Sequence, residues 1–129
     1  MTWQPRTLHQ TLAAAVAARG DAEALVTQTA RLGFRALAAE VELLARAMLA
    51  AGLRRGDHVA ILMGNGEQWI GLFFAAASIG AVTVPVNTRF KPAEIAYALK
   101  QADVKAHFHA DRFLGLDFTA VFPHLRRHP

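Results

Sequence analysis

Between residues 36 and 51, Leu37, Val41, Leu44 and Met48 recur every three or four positions, while Glu40, Glu42 and Arg46 fall off that stripe. This spacing predicts an amphipathic helix with one apolar face, closed by Gly52. Upstream, Leu8, Leu12 and Val16 keep the same period and predict a first helix over 7–19, with Gly20 just past its end. The short runs 24–29 and 32–35 are β-prone and flank Ala30-Arg31, which predicts a hairpin between the two helices.

The period changes after Gly52. Arg54-Arg55-Gly56-Asp57 reads as a turn, and 59–63 is an unbroken apolar run of strand length, as expected of a strand covered on both faces. Asn65 is placed to cap a helix over 66–79, and 81–85 is a second short apolar strand. A loop over 87–91 leads to Pro92, which suits the first turn of a helix reaching about 101, and 104–109 completes a third strand. Strand, helix, strand, helix, strand with connections of this length predicts right-handed crossovers, a parallel sheet and an α/β layer. The apolar and aromatic stretch 113–122 is expected to dock on a surface, and 123–129 to form a loose basic tail.

Residues 69–86 carry no charge over eighteen positions, the lower limit for a membrane span. Gly80 and Pro85 break that run, so the same residues read as a buried helix followed by a buried strand, and no membrane span is expected. At 129 residues the chain is long enough for one domain and too short for two. Its hydrophobic share of 53% excludes nine glycines, an apolar excess that predicts surface covered by something else. The net charge of +4 comes from scattered arginines and lysines, without the basic stripe and interleaved aromatics of a nucleic-acid module, so no nucleic-acid partner is expected. With no cysteine, disulfides, thiolate metal sites and thiol nucleophiles are excluded together, which suits a reducing compartment.

Few residues offer chemistry. Gly64-Asn65-Gly66 lies between a strand and a helix, where dinucleotide-binding folds place a phosphate turn, but Trp69 stands at the third glycine position and no acid ends the next strand. The turn therefore reads as a tight connection. The single serine, Ser78, falls inside an apolar helix with no base near it in sequence, and reads as a packing residue. His107 and His109 alternate along a strand and share a side, with Asp111 beyond them, yet two ligands do not make a metal site. Glu40 and Glu42 lack the opposed geometry of an acid and base pair, and Asp57 reads as a turn residue bonding nearby backbone.

The order of several blocks resembles the start of the adenylate-forming, AMP-binding acyl-CoA synthetase (fatty-acyl-CoA ligase) family. The blocks are Arg31-Leu32-Gly33-Phe34, Leu44-Ala45-Arg46-Ala47-Met48-Leu49, Gly52-Leu53-Arg54-Arg55-Gly56-Asp57-His58-Val59-Ala60-Ile61 and Asn65-Gly66-Glu67-Gln68-Trp69. Gly80-Ala81-Val82-Thr83-Val84-Pro85-Val86-Asn87 and Glu94-Ile95-Ala96-Tyr97-Ala98-Leu99 follow, and Asp111-Arg112-Phe113 looks most like synthetases of fatty and alicyclic acids. The resemblance runs from about residue 7 to 122.

Two departures stand out. Gly33-Phe34 and Ala36 replace a common Thr-Tyr with a following Glu, which loses a threonine cap, and Gly64 replaces a common proline, which is expected to loosen that turn. The resemblance implies one incomplete domain over 1–129, the opening of the AMP-binding N-terminal domain, in a cytoplasmic enzyme. The complete enzyme would use ATP, Mg and CoA to turn a carboxylic acid into an acyl-adenylate and then a thioester. The family's phosphate loop, its nucleotide motifs and its catalytic lysine have no counterpart in these residues. The expectation is accordingly that the segment has no catalytic, cofactor-binding or metal residue and is inactive alone. Its partner would be the remainder of the synthetase or, as an alternative reading, a second copy of a non-catalytic α/β module associating through an exposed apolar face.

Overall fold

The computed structural model describes residues 4–121, so the tail expected over 123–129 lies outside the described residues. The first helix, α1 (Leu8–Arg19), ends at Gly20 as its sequence predicts, and at its start the Thr7 hydroxyl accepts from the Gln10 N–H while Gln10 returns the bond to the Thr7 backbone, a cap the sequence reading did not name. Strands β1 (Glu23–Val26) and β2 (Arg31–Gly33) form the antiparallel hairpin, with an extra residue at Ala24. The strands are shorter than the β-prone runs. Thr27 to Ala30 makes the turn, with the Thr27 N–H bonded to the Ala30 carbonyl at 2.8 Å, while Phe34 and Arg35 are drawn into the next helix.

That helix, α2 (Phe34–Ala50), begins two residues earlier than its apolar stripe suggests. Its N-cap is Gly33, with no side-chain cap, as the departure from the family's threonine implied. Backbone carbonyls replace the missing hydroxyl: the Phe34 N–H bonds the Ala22 oxygen at 3.1 Å and the Arg35 N–H bonds the Gly20 oxygen at 3.0 Å. The replacement requires glycine, because a Cβ at Gly33 would stand 2.8 Å from the Asp21 carbonyl oxygen. Leu37, Val41, Ala45 and Met48 are buried along the predicted face.

Three parallel strands follow, in the spatial order β4-β3-β5: β3 (His58–Leu62), β4 (Val82–Pro85) and β5 (Val104–His109). Helix α3 (Glu67–Ser78) joins β3 to β4, and α4 (Pro92–Gln101), with proline in its first turn, joins β4 to β5. Central β3 is buried on both faces, as its unbroken apolar run predicts. Strand β4 is equally apolar in sequence, yet it lies at an edge and leaves Val82 46% exposed. Residues 69–86 take in all but the first two residues of α3 and all of β4, and no helix among the described residues is long and apolar enough to cross a membrane.

The alternation of β3 sorts the core. Val59 and Ile61 point to a large cluster with Leu12 of α1, Leu37, Val41 and Met48 of α2, and Leu72, Ala75 and Ala76 of α3. Ala60 and Leu62 point to a smaller one with Val86, Ile95 of α4 and Phe118. Helices α2 and α3 approach closely at Gly71, where an added Cβ would stand 2.9 Å from a Leu44 methyl carbon. The segment expected to dock does so through α5 (Phe118–Val121), which follows a two-residue-stranded hairpin that the sequence reading did not foresee, β6 (Arg112–Phe113) and β7 (Leu116–Asp117).

Candidate functional site

The Gly64-Asn65-Gly66 turn stands at the carboxyl end of β3, where sheets of this kind often receive ligands. Asn65 does not cap the helix that follows. The N-cap is Gly66, without a side-chain bond, and Asn65 is exposed. Gly64, expected to loosen the turn, instead makes room for an aromatic ring: a Cβ there would lie 2.0 Å from Cε2 of Phe113. The tight glycine reflects a neighbour 49 residues on in the chain, which no local reading of the turn reveals.

The first turn of α3 carries Glu67, and its carboxylate already has hydrogen-bond partners. The Thr29 hydroxyl at the tip of the hairpin donates to Glu67 Oε1 at 3.2 Å and the Gln68 amide donates at 3.3 Å. The carboxyl is held below its ordinary value of 4.5 chiefly by its own backbone N–H, then by the hydroxyl of Thr27, with Thr29 and Gln68 adding to it. A nucleotide phosphate at this turn would meet a negative charge at the helix end that ordinarily attracts anions, and a ring where the backbone should be bare. The residues present do not fit a phosphate.

Ser78 lies near a base after all. His9 of α1 brings its Nδ1 to 3.1 Å from Ser78 Oγ, across 69 positions of sequence. The hydroxyl proton, however, is donated to the Phe74 carbonyl at 2.8 Å, one helical turn back. With that proton committed, His9 donates to the serine oxygen, and the pair joins α1 to α3 instead of activating a nucleophile.

His107 and His109 share one side of β5, as alternation requires, with their rings stacked at a centroid distance of 5.5 Å. Their register opposite Ala60 and Leu62 places them on the side of the sheet that holds the smaller cluster. Burial first, and then the neighbouring His109, push the His107 imidazole below its ordinary value of 6.5. The His109 Nδ1–H donates to the Ala110 carbonyl at 3.1 Å. Among the described residues, no three histidines, aspartates or glutamates converge to hold a metal.

Asp57 takes the predicted turn role, accepting the Arg54 N–H at 2.7 Å. It also accepts from Lys105 Nζ at 2.8 Å, which the sequence reading missed. The register between β3 and β5 slips at Lys105, so this one residue leaves the ladder and reaches the turn that opens β3. The Lys105 bond, followed by the Arg54 N–H, lowers the Asp57 carboxyl from its usual 3.8. Glu42 pairs with Arg46 one turn along α2, an arrangement of exposed side chains without a cleft. The best-built cluster among these residues is Gly64 under the Phe113 ring, with Glu67 close by in sequence, at the carboxyl end of β3.

Comparison with known proteins gives these positions a context. The sequence model described as "AMP-binding enzyme" matches residues 12–125. The acyl-CoA ligase sidI of Aspergillus fumigatus is 41% identical over 95 residues, covering 72% of this chain and 16% of that protein. The N-terminal domain of FACL13 from Mycobacterium tuberculosis superposes with a TM-score of 0.79 at 28% identity, over 81% of this chain and 27% of that one. The N-terminal subdomain of NpsA from Klebsiella oxytoca, in complex with 3-hydroxybenzoyl-AMSN, gives 0.81 at 26% identity, over 84% and 28%. The chain thus spans less than a third of each of these three relatives.

Proposed function

The chain belongs to the AMP-binding enzyme family, and we propose that it is a scaffold segment of an acyl-CoA synthetase. In the complete protein, ATP, Mg and CoA would serve to activate a carboxylic acid as its adenylate and pass it to a thiol. The acid is proposed to be a fatty or alicyclic one. The observation that carries this reading is the continuous family match over 12–125, on a fold whose parallel sheet and helices follow those of adenylate-forming domains.

The 129 residues form one partial domain on this reading, and they neither hold the nucleotide nor supply a catalytic side chain. The hydrogen-bonded carboxylate of Glu67 and the ring over Gly64 support that assignment. The segment's role is to present a finished helical face and a sheet to the rest of the synthetase, with a cytoplasmic location. Its partner is the remaining chain.

The test begins with the intact mass of the natural polypeptide, recovered from its source cells with an antibody against this segment. A mass several times 14.0 kDa is expected, with exchange of pyrophosphate into ATP by that longer protein and none by the 129-residue chain alone. A native mass near 14.0 kDa, in a monodisperse and cooperatively melting oligomer, would overturn the proposal in favour of a self-associating module without catalysis. Turnover by the isolated segment would overturn the assignment of an inactive scaffold.

A further inference from the structure

The chains that leave the adjacent strands β3 and β5 depart toward opposite faces of the sheet. From β3 the path goes to α3, whose Leu72, Ala75 and Ala76 belong to the larger cluster. From β5 it goes through β6 and β7 to Phe118, which belongs to the smaller one. Opposite departures leave a crevice between the carboxyl ends of two neighbouring strands. Phe113 fills it. Its ring packs on the smaller cluster and sits so close to Gly64 that a methyl carbon there would overlap three ring atoms, at 2.0, 2.6 and 2.7 Å.

We propose that residues 111–121 form a strap over this crevice, with the Phe113 ring in the Gly64 notch as its catch, and that the strap opens and closes as one unit. Three features point to a movable piece. The strap is held to the rest of the described residues by the apolar contacts of Phe113, Phe118 and Val121 with the smaller cluster, while the bond from the Phe118 N–H to the Asp111 carbonyl at 3.0 Å lies within the strap and ties its two ends together. Its hairpin is built on two-residue strands, closed by Leu114 at φ 49 and Gly115 at φ 77, so a branched apolar residue occupies a backbone region that favours glycine. Leu114 and Leu116 are 72% and 47% exposed, so the hairpin has little apolar surface holding it down beyond Phe113. When the strap lifts, the notch and the ends of β3 and β5 become an apolar slot open to solvent.

Amide hydrogen exchange on the complete natural polypeptide tests this without any substitution. The strap is expected to exchange as a block, at least about tenfold faster than the amides of β3. Exchange of 111–121 at the rate of β3 would overturn the proposal. Gly64→Ala, which closes the notch, and Phe113→Ala, which removes the catch, should each raise exchange in the strap by a further factor of about ten while leaving α2 unchanged. The two together should do no more than either alone, since both release the same catch. If either variant accelerates α2 and β3 equally with the strap, or if the double variant adds the two effects, the ring is ordinary core and the strap is not a separate unit.

Discussion

The two faces of the parallel sheet are built to different standards. One is covered by three helices of twelve, seventeen and twelve residues, over a cluster of eleven buried residues that includes Val59 and Ile61. The other relies on the ten-residue α4, the four-residue α5 and a minimal hairpin, over a cluster of five buried residues that includes Ala60 and Leu62. The same central strand supplies both faces with side chains of the same kind, so the contrast lies in the cover. A helix of ten residues contributes two apolar positions to its cluster, Ile95 and Leu99, whereas α2 contributes a whole stripe. The first face is locally complete, and the second is where further chain would add most.

The largest expected effect follows directly. Met48→Ala, at a site 3% exposed, should cost about 2 to 5 kcal/mol in urea unfolding and lower the protection of the whole described core. Ile95→Ala removes a side chain that is 1% exposed, but it should loosen chiefly α4 and the strap. Equal loss of amide protection on both faces in the two variants would erase the distinction.

Next comes the junction of the first face with its hairpin. Restoring the family's common residue by Gly33→Thr should destabilise by about 1 to 3 kcal/mol, because the added Cβ meets the Asp21 carbonyl at 2.8 Å. Thermal melting reads the effect. A gain in stability would mean that a side-chain cap outweighs the two backbone bonds now in its place.

The third effect depends on pH and lies at the start of β3 and β5. The Asp57 carboxyl is lowered in the folded chain, so its contribution is fully present above the unfolded value near 3.8 and is lost as pH falls through the lower folded value. Asp57→Asn should therefore flatten the loss of stability in that acid window and leave the slope near neutrality unchanged. An unaltered acid slope, measured by denaturant titration at several pH values, would show that Lys105 holds the turn without help from the charge. The smallest effect is on the outer side of α2: Glu42→Gln breaks the exposed pair with Arg46 and should change stability by no more than about 0.5 kcal/mol.

The sequence made the first face more legible than the second, for a physical reason. Leu37, Val41 and Met48 repeat with the period of a helix, and Val59 to Leu62 shows no alternation because both sides are buried, so pattern alone locates them. Pattern cannot say that β4 would be an edge strand with Val82 in solvent, because strand order is decided by partners far along the chain. Nor can it find β6 and β7, whose four residues are too few to show a period. The reading of Asn65 as a cap failed because Gly66 takes that place. In the candidate site, the alternation of His107 and His109 was legible, whereas Phe113 over Gly64, His9 beside Ser78 and Lys105 on Asp57 each join positions more than 45 residues apart. Those contacts belong to the tertiary fold and leave no local signature.

The middle strand of the sheet is the first of the three to be synthesised. Strand β3 meets β4 only after α3 has formed, and meets β5 only after α4, so on the ribosome its most apolar residues wait beside α1 and α2 with no strand on either side. The finished helical face gives Val59 and Ile61 an early shelter, while Ala60 and Leu62 stay open until the chain has passed Phe118. Half of the strand is thus chaperoned by its own upstream helices, and the other half sets the interval during which the nascent chain is open to wrong pairing.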